Sequence, residues 1–148
     1  YPTLADAEAN GYIITPLVEP GVGVHAVNWG LVGGFDPQRP AMLLYESLDP
    51  SSRIIALSYY ILGEPDRQPE GFAGDNDHWH NHIDICIQAG ALLPTTHDPD
   101  ECAASQGTYL TGRNLWMLHA WVVEGVTNPW GAFATYNPNF DADGGDDH

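Results

Sequence analysis

The sequence predicts an all-β domain, mainly antiparallel: a small β-barrel or β-sandwich with one short N-terminal helix. Three observations carry this. Residues 78–87 alternate with a period of two, with Trp79, Ile83, Ile85 and Ile87 on one side and His78, His80, His82, Asp84 and Cys86 on the other. The polar turn Asp49-Pro50-Ser51-Ser52 joins two apolar segments, 41–46 and 53–62, as an antiparallel hairpin. Residues 115–123 are apolar on both faces, the pattern of a strand buried from both sides.

The elements follow in chain order. Thr3 is suited to cap a helix whose third residue is Asp6, and Gly11 stops it. Residues 12–18 read as a strand that Pro16 confines to an edge or a bulge. Residues 22–29 form the next, closed by Gly30. Its Gly21-x-Gly23-x-x-Ala26 pattern only superficially matches a dinucleotide fingerprint, because β-branched residues follow where a helix should begin. The hairpin comes after the loop 33–40, and the long polar loop 63–77 leads into the histidine strand. Residues 132–136 read as a short last strand. Six or seven strands with regularly spaced turns result. Residues 1–140 make a single β-domain, and the Gly- and Asp-rich stretch 141–148 is a tail or linker.

The charge balance excludes several classes of function. Twenty acidic residues stand against four arginines, with no lysine, for a formal charge of −16. Such a surface repels nucleic acid and anionic membranes, which need clustered basic residues. Without lysine there is no Schiff-base chemistry and no phosphate-binding P-loop. An acidic coat fits either a protein adapted to high salt or an acidic secreted one. No run of apolar residues is long enough to span a membrane. The chain begins at Tyr1 without an initiator Met, which fits a removed signal peptide or an excised domain.

Cys86 and Cys102 enclose 15 residues, 87–101. In an oxidising compartment they are expected to form one disulfide, contributing about 3 kcal/mol. The competing reading makes Cys86 a thiolate ligand. Along a strand it would lie roughly 13 Å from His82, too far for one ion to bridge.

The histidines are the chemical feature. Two histidines at i and i+2 on a strand have Cα atoms roughly 7 Å apart, within reach of one ion. The predicted metal ligands are therefore His80 with His82, or His78 with His80, completed by His25 and His119 from other strands. Glu46, at the end of an apolar strand, is a further candidate. A transition-metal ion suits this set, copper or zinc ahead of iron or manganese. The bland alternative is a histidine-rich strand face wetted by solvent. None of Ser47, Ser51, Ser52, Ser58 and Ser105 sits in a G-x-S-x-G elbow, so serine-nucleophile chemistry is not indicated.

A resemblance appears in Gly23-Val24-His25, Arg39-Pro40 through Tyr45-Glu46, and Trp79-His80-Asn81-His82 through Cys86. It continues in Trp116-Met117-Leu118-His119-Ala120-Trp121 and Asn128-Pro129-Trp130-Gly131-Ala132-Phe133. These blocks resemble those of a group of small secreted microbial proteins, whose WHxH block maps to His80 and His82 and whose LHxW block maps to His119. The resemblance covers most of residues 3–140. It implies secretion and carries no activity with it. A looser resemblance is to cupins, which hold a metal with three His and a Glu in a small β-barrel. Here the usual Glu spacing is lacking and no PxG precedes His119.

Three functions are compatible with these features. The first is a secreted, extracellular or cell-surface metal-binding β-domain. The second is a metal-dependent, cupin-like enzyme, with loop 63–77 as a lid and Asp84 or His78 as proton carrier. The third is a structural or assembly module of the cell surface or an extracellular polymer, prone to self-association. The expected partner in the first two is a metal ion.

Overall fold

The computed structural model describes residues 1–81, 84–93 and 96–141. Its architecture is all-β and antiparallel, with nine strands in two sheets and two short α-helices among the described residues. The helix α1 (Leu4–Ala9) starts where the sequence places it. Thr3 accepts from the Asp6 amide, and the Asp6 carboxylate accepts from the Thr3 backbone, a reciprocal cap.

The large sheet contains β1 (Ile13–Ile14), β2 (Val24–Val27), β3 (Met42–Tyr45), β4 (Ile54–Leu62), β9 (Leu115–Ala120) and β5 (His80–Asn81). Its order is β1-β2-β3-β4-β9-β5. The 42–45/54–62 hairpin is antiparallel as expected, with its register slipping between Leu44, which faces Ala56, and Tyr45, which faces Ile54. All six residues of β9 are buried, as a strand apolar on both faces requires. The small sheet has the order β7-β6-β8, from β6 (Ile85–Gln88), β7 (Ala91–Leu93) and β8 (Thr108–Leu110).

Cross-strand register sorts the large sheet into two faces. Val27, Met42, Ser58 and His119 lie in one row across β2, β3, β4 and β9. His25, Leu44 and Ala56 lie in the row two residues along, and Tyr60, Met117 and His80 in another on the same side. This face packs against Ile85 and Leu92 of the small sheet. The opposite face carries α1 at one end, against Val24, Ala26 and Tyr45. At the other end Tyr59, Ile61, Trp116 and Leu118 meet Trp79, Phe72 and Phe133. The indole of Trp29 also donates to the Gly90 carbonyl, tying the β6–β7 turn to the large sheet.

Four sequence expectations are corrected. Among the described residues the sheets do not close into a barrel. Residues 78–87 are not one strand: β5 belongs to the large sheet and β6 to the small one. Just before β6, the Asp84 carboxylate accepts from the Tyr109 hydroxyl, the Thr111 hydroxyl and the Gly112 amide. A carboxylate gathering three donors works as an anchor, which the alternating pattern reads as an outward-facing strand residue.

Residues 132–136 do not form a strand either. Three of their carbonyls are taken by β9 and the residue after it, not by a ladder: Ala132 by the Trp121 amide, Ala134 by the Trp121 indole at 2.8 Å, and Thr135 by His119. Finally, the cysteine-closed loop carries β7 and a second helix, α2 (Pro99–Ala104), capped by Asp98. Of the predicted tail, only Asp141 is among the described residues.

Candidate metal centre

Three of the predicted histidines meet on one face of the large sheet. His25 comes from β2, His80 from β5 and His119 from β9. The His80 and His119 ring centres are 5.2 Å apart and those of His25 and His119 6.0 Å apart. His25 and His119 are 7 % and 2 % exposed. Across a flat sheet, three strand spacings would put roughly 14 Å between β2 and β9. The ring separation is far shorter than this, and the strands between carry a register slip at Leu44–Tyr45.

The rings line a cavity of about 360 Å³ between the sheets, with Thr15, Glu19, Ile85, Leu92 and Met117 among its other walls. Each imidazole is oriented by its surroundings. His119 Nδ1 donates to the Thr135 carbonyl at 2.6 Å, and its Nε2 lies 3.0 Å from the Met117 sulfur. His25 Nδ1 is 3.8 Å from the Glu19 carboxylate, whose pKa is raised by burial. His80 Nδ1 lies 3.4 Å from the His78 carbonyl.

The remaining candidates stand elsewhere. His82 lies outside the described residues. His78 is exposed and does not line the cavity. Glu46 is exposed too, pairing with Arg53 at 3.0 Å, so it is no ligand in this arrangement. Cys86 and Cys102 form the disulfide, which removes the thiolate reading. Asp84 is held as an anion, its pKa lowered first by the Tyr109 hydroxyl and then by the Gly112 amide. It does not line the cavity, so it is no proton carrier there. Loop 63–77 is no lid over it: Phe72 packs on the opposite face, and none of the loop's residues lines the cavity.

Among the lining residues that the sequence does not single out are Met117, Glu19 and His97. Met117 lies two before His119 on the same strand, so the period of two already put them on one face. Glu19 faces Gly23 in an isolated bridge at the β1–β2 turn, a placement that pairing 12–18 with 22–29 would have suggested. His97 is brought to the cavity by the disulfide-closed loop, its Nδ1 donating to the Asp84 carbonyl at 2.8 Å. No local pattern marks it.

Among the described residues, no group of three or more His, Cys, Asp or Glu side chains stands ready-made to hold a metal ion. What is present is a cluster of imidazoles, two of them buried, on the wall of a cavity lined by both apolar and polar side chains. No family model, curated protein or solved structure matches the chain.

Proposed function

We propose that this is an extracellular metal-binding β-domain in which His25, His80 and His119 hold a transition-metal ion. The observation that carries the reading is the convergence of imidazoles from three strands far apart in the chain. Two imidazoles sharing one tetrahedral ion have ring centres on the order of 5 Å apart, given metal–nitrogen bonds near 2 Å. The spacings of 5.2 and 6.0 Å are close to that requirement. The bond from His119 Nδ1 to Thr135 is the outer-shell contact that fixes a ligand's tautomer and ring plane. The formal charge of −16 raises the local concentration of cations, and the disulfide suits an oxidising exterior.

The test is elemental analysis of the protein purified without chelator, followed by titration of the metal-free form. About one ion per chain is expected, with His119→Ala lowering affinity at least about a hundredfold and His78→Ala leaving it unchanged. No uptake by the wild type, or equal affinity in both variants, overturns the reading.

A second reading, a metal-dependent enzyme, draws on the size of the cavity. Its volume of about 360 Å³ far exceeds what one ion occupies. The Thr15 hydroxyl on its wall is buried with no hydrogen-bond partner among the described residues. An enzyme keeps a coordination position open to substrate. Azide or imidazole adding to the loaded site with a spectral change is expected on this reading. A site that no small anion enters rules it out.

A further inference from the structure

We propose that the cavity between the two sheets takes an uncharged aromatic alcohol, a molecule of the phenol class, with its hydroxyl at Thr15 and its ring against the small sheet. The inference rests on the reading of this cavity as open to a small molecule, and it names the class of that molecule.

The lining is uneven in chemistry. Ile85, Leu92 and Leu93 wall the cavity from the small sheet, and Val22 and Met117 add to its apolar surface. Leu17 and Tyr136 line it too while standing exposed, so it reaches the surface at apolar side chains. A volume of about 360 Å³ lies in the range of small-molecule sites.

Thr15 is the polar handle. Its amide donates to the His25 carbonyl at 2.8 Å, which fixes it beside β2 on the cavity wall. The residue is 4 % exposed, and its hydroxyl has no hydrogen-bond partner among the described residues. Burying such a group unpaired is unfavourable. A ligand hydroxyl, which both donates and accepts, relieves it.

Charge narrows the class further. None of the four arginines lines the cavity, so a carboxylate or phosphate finds no guanidinium there and enters a protein of formal charge −16. An ammonium finds only Glu19 among the described lining residues, a partly exposed carboxylate screened by water. A flat ring suits the walls better than an aliphatic chain. The Met117 thioether packs well against aromatic edges, and the His80 and His119 rings stand edge to face, an arrangement that a further ring extends.

The test compares p-cresol with p-xylene, in which a methyl group of similar size replaces the hydroxyl. Both are titrated by nuclear magnetic resonance into the whole chain, wild type and Thr15→Val, with chelator present. The wild type is expected to bind p-cresol saturably, with Overhauser contacts from its ring to the Ile85 and Leu92 methyl groups. Thr15→Val is expected to weaken p-cresol at least about fivefold and to leave p-xylene within about twofold. No saturable binding of p-cresol, contacts confined to residues outside the cavity, or an equal loss of both probes in the variant overturns the inference. So does tighter binding of 4-methylbenzoate or 4-methylbenzylammonium than of p-cresol. The contacts in the wild type decide the matter even if the variant does not fold. The chelator keeps this result separate from the azide test of the loaded site, which decides the enzyme reading by itself.

Discussion

Ser58 and His119 face each other in register across β4 and β9, both buried on the cavity side of the large sheet, yet their polar groups fare differently. The imidazole reaches the Thr135 carbonyl and the Met117 sulfur. The Ser58 hydroxyl is fully buried and has no hydrogen-bond partner among the described residues. A buried unsatisfied hydroxyl beside a candidate ligand is a local cost to the fold.

Ser58→Ala removes that cost with almost no change in volume. The metal-free variant is expected to gain roughly 1 kcal/mol in stability, read from the urea midpoint at constant slope. Metal affinity should stay within about twofold, since no ligand is touched. A destabilised variant would mean that the hydroxyl is satisfied in solution.

Gly23 lies two residues before His25 with φ +94°, and a side chain there would run into the Tyr45 carbonyl of the neighbouring strand. Gly23→Ala combines left-handed strain with that backbone collision. A loss of about 2 kcal/mol or more is expected in chemical denaturation. Because β2 would shift against β3, metal affinity should fall with it.

Reducing the disulfide should loosen the small sheet first. Cys86 lies on β6 and Cys102 on α2, with Cα atoms 5.6 Å apart, and the bridge closes the chain that carries β7. A loss of about 3 kcal/mol is expected. At this chain length that lowers Tm by about 6–12 °C with dithiothreitol present. Ile85, Leu92 and Leu93 wall the cavity, so reduced protein should also bind metal more weakly. An unchanged Tm in fully reduced protein would contradict this.

Alkaline titration should find most of the tyrosines protected. Burial raises the pKa of Tyr12, Tyr45, Tyr59 and Tyr60, and the hydrogen bond to Asp84 raises that of Tyr109. These are five of seven tyrosines. A raised pKa means that the folded state keeps protons the unfolded state releases. The resulting stabilisation is complete below the unfolded value near 10 and is lost as pH rises through the folded values. Near-ultraviolet absorbance should therefore show these five ionising at higher pH in native protein than in guanidinium. Ionisation of all seven near pH 10 with the fold intact would exclude it.

Much of the local structure was legible in the sequence because it depends on neighbours in the chain. The Thr3–Asp6 cap, the 42–45/54–62 hairpin and the doubly buried β9 follow from spacing alone, and the disulfide joins two cysteines that bracket a short loop. The 78–87 stretch misled for the same reason. Alternation does not reveal that a carboxylate with three donors stands between strands belonging to two different sheets.

The sequence by itself determined the antiparallel all-β character and, within β9, that Met117 and His119 share a side. A period of two assigns a residue to one face of its strand. It does not say which strands become neighbours, how close their side chains come, or which carbonyl an imidazole will meet. Only the tertiary structure decided those. It set β9 between β4 and β5, brought the rings of His25 and His119 to 6.0 Å apart, and laid residues 132–136 where Thr135 could orient the ring. Contacts between residues distant in the chain are chosen by burying one apolar face against another, a property of the whole molecule that no local pattern encodes.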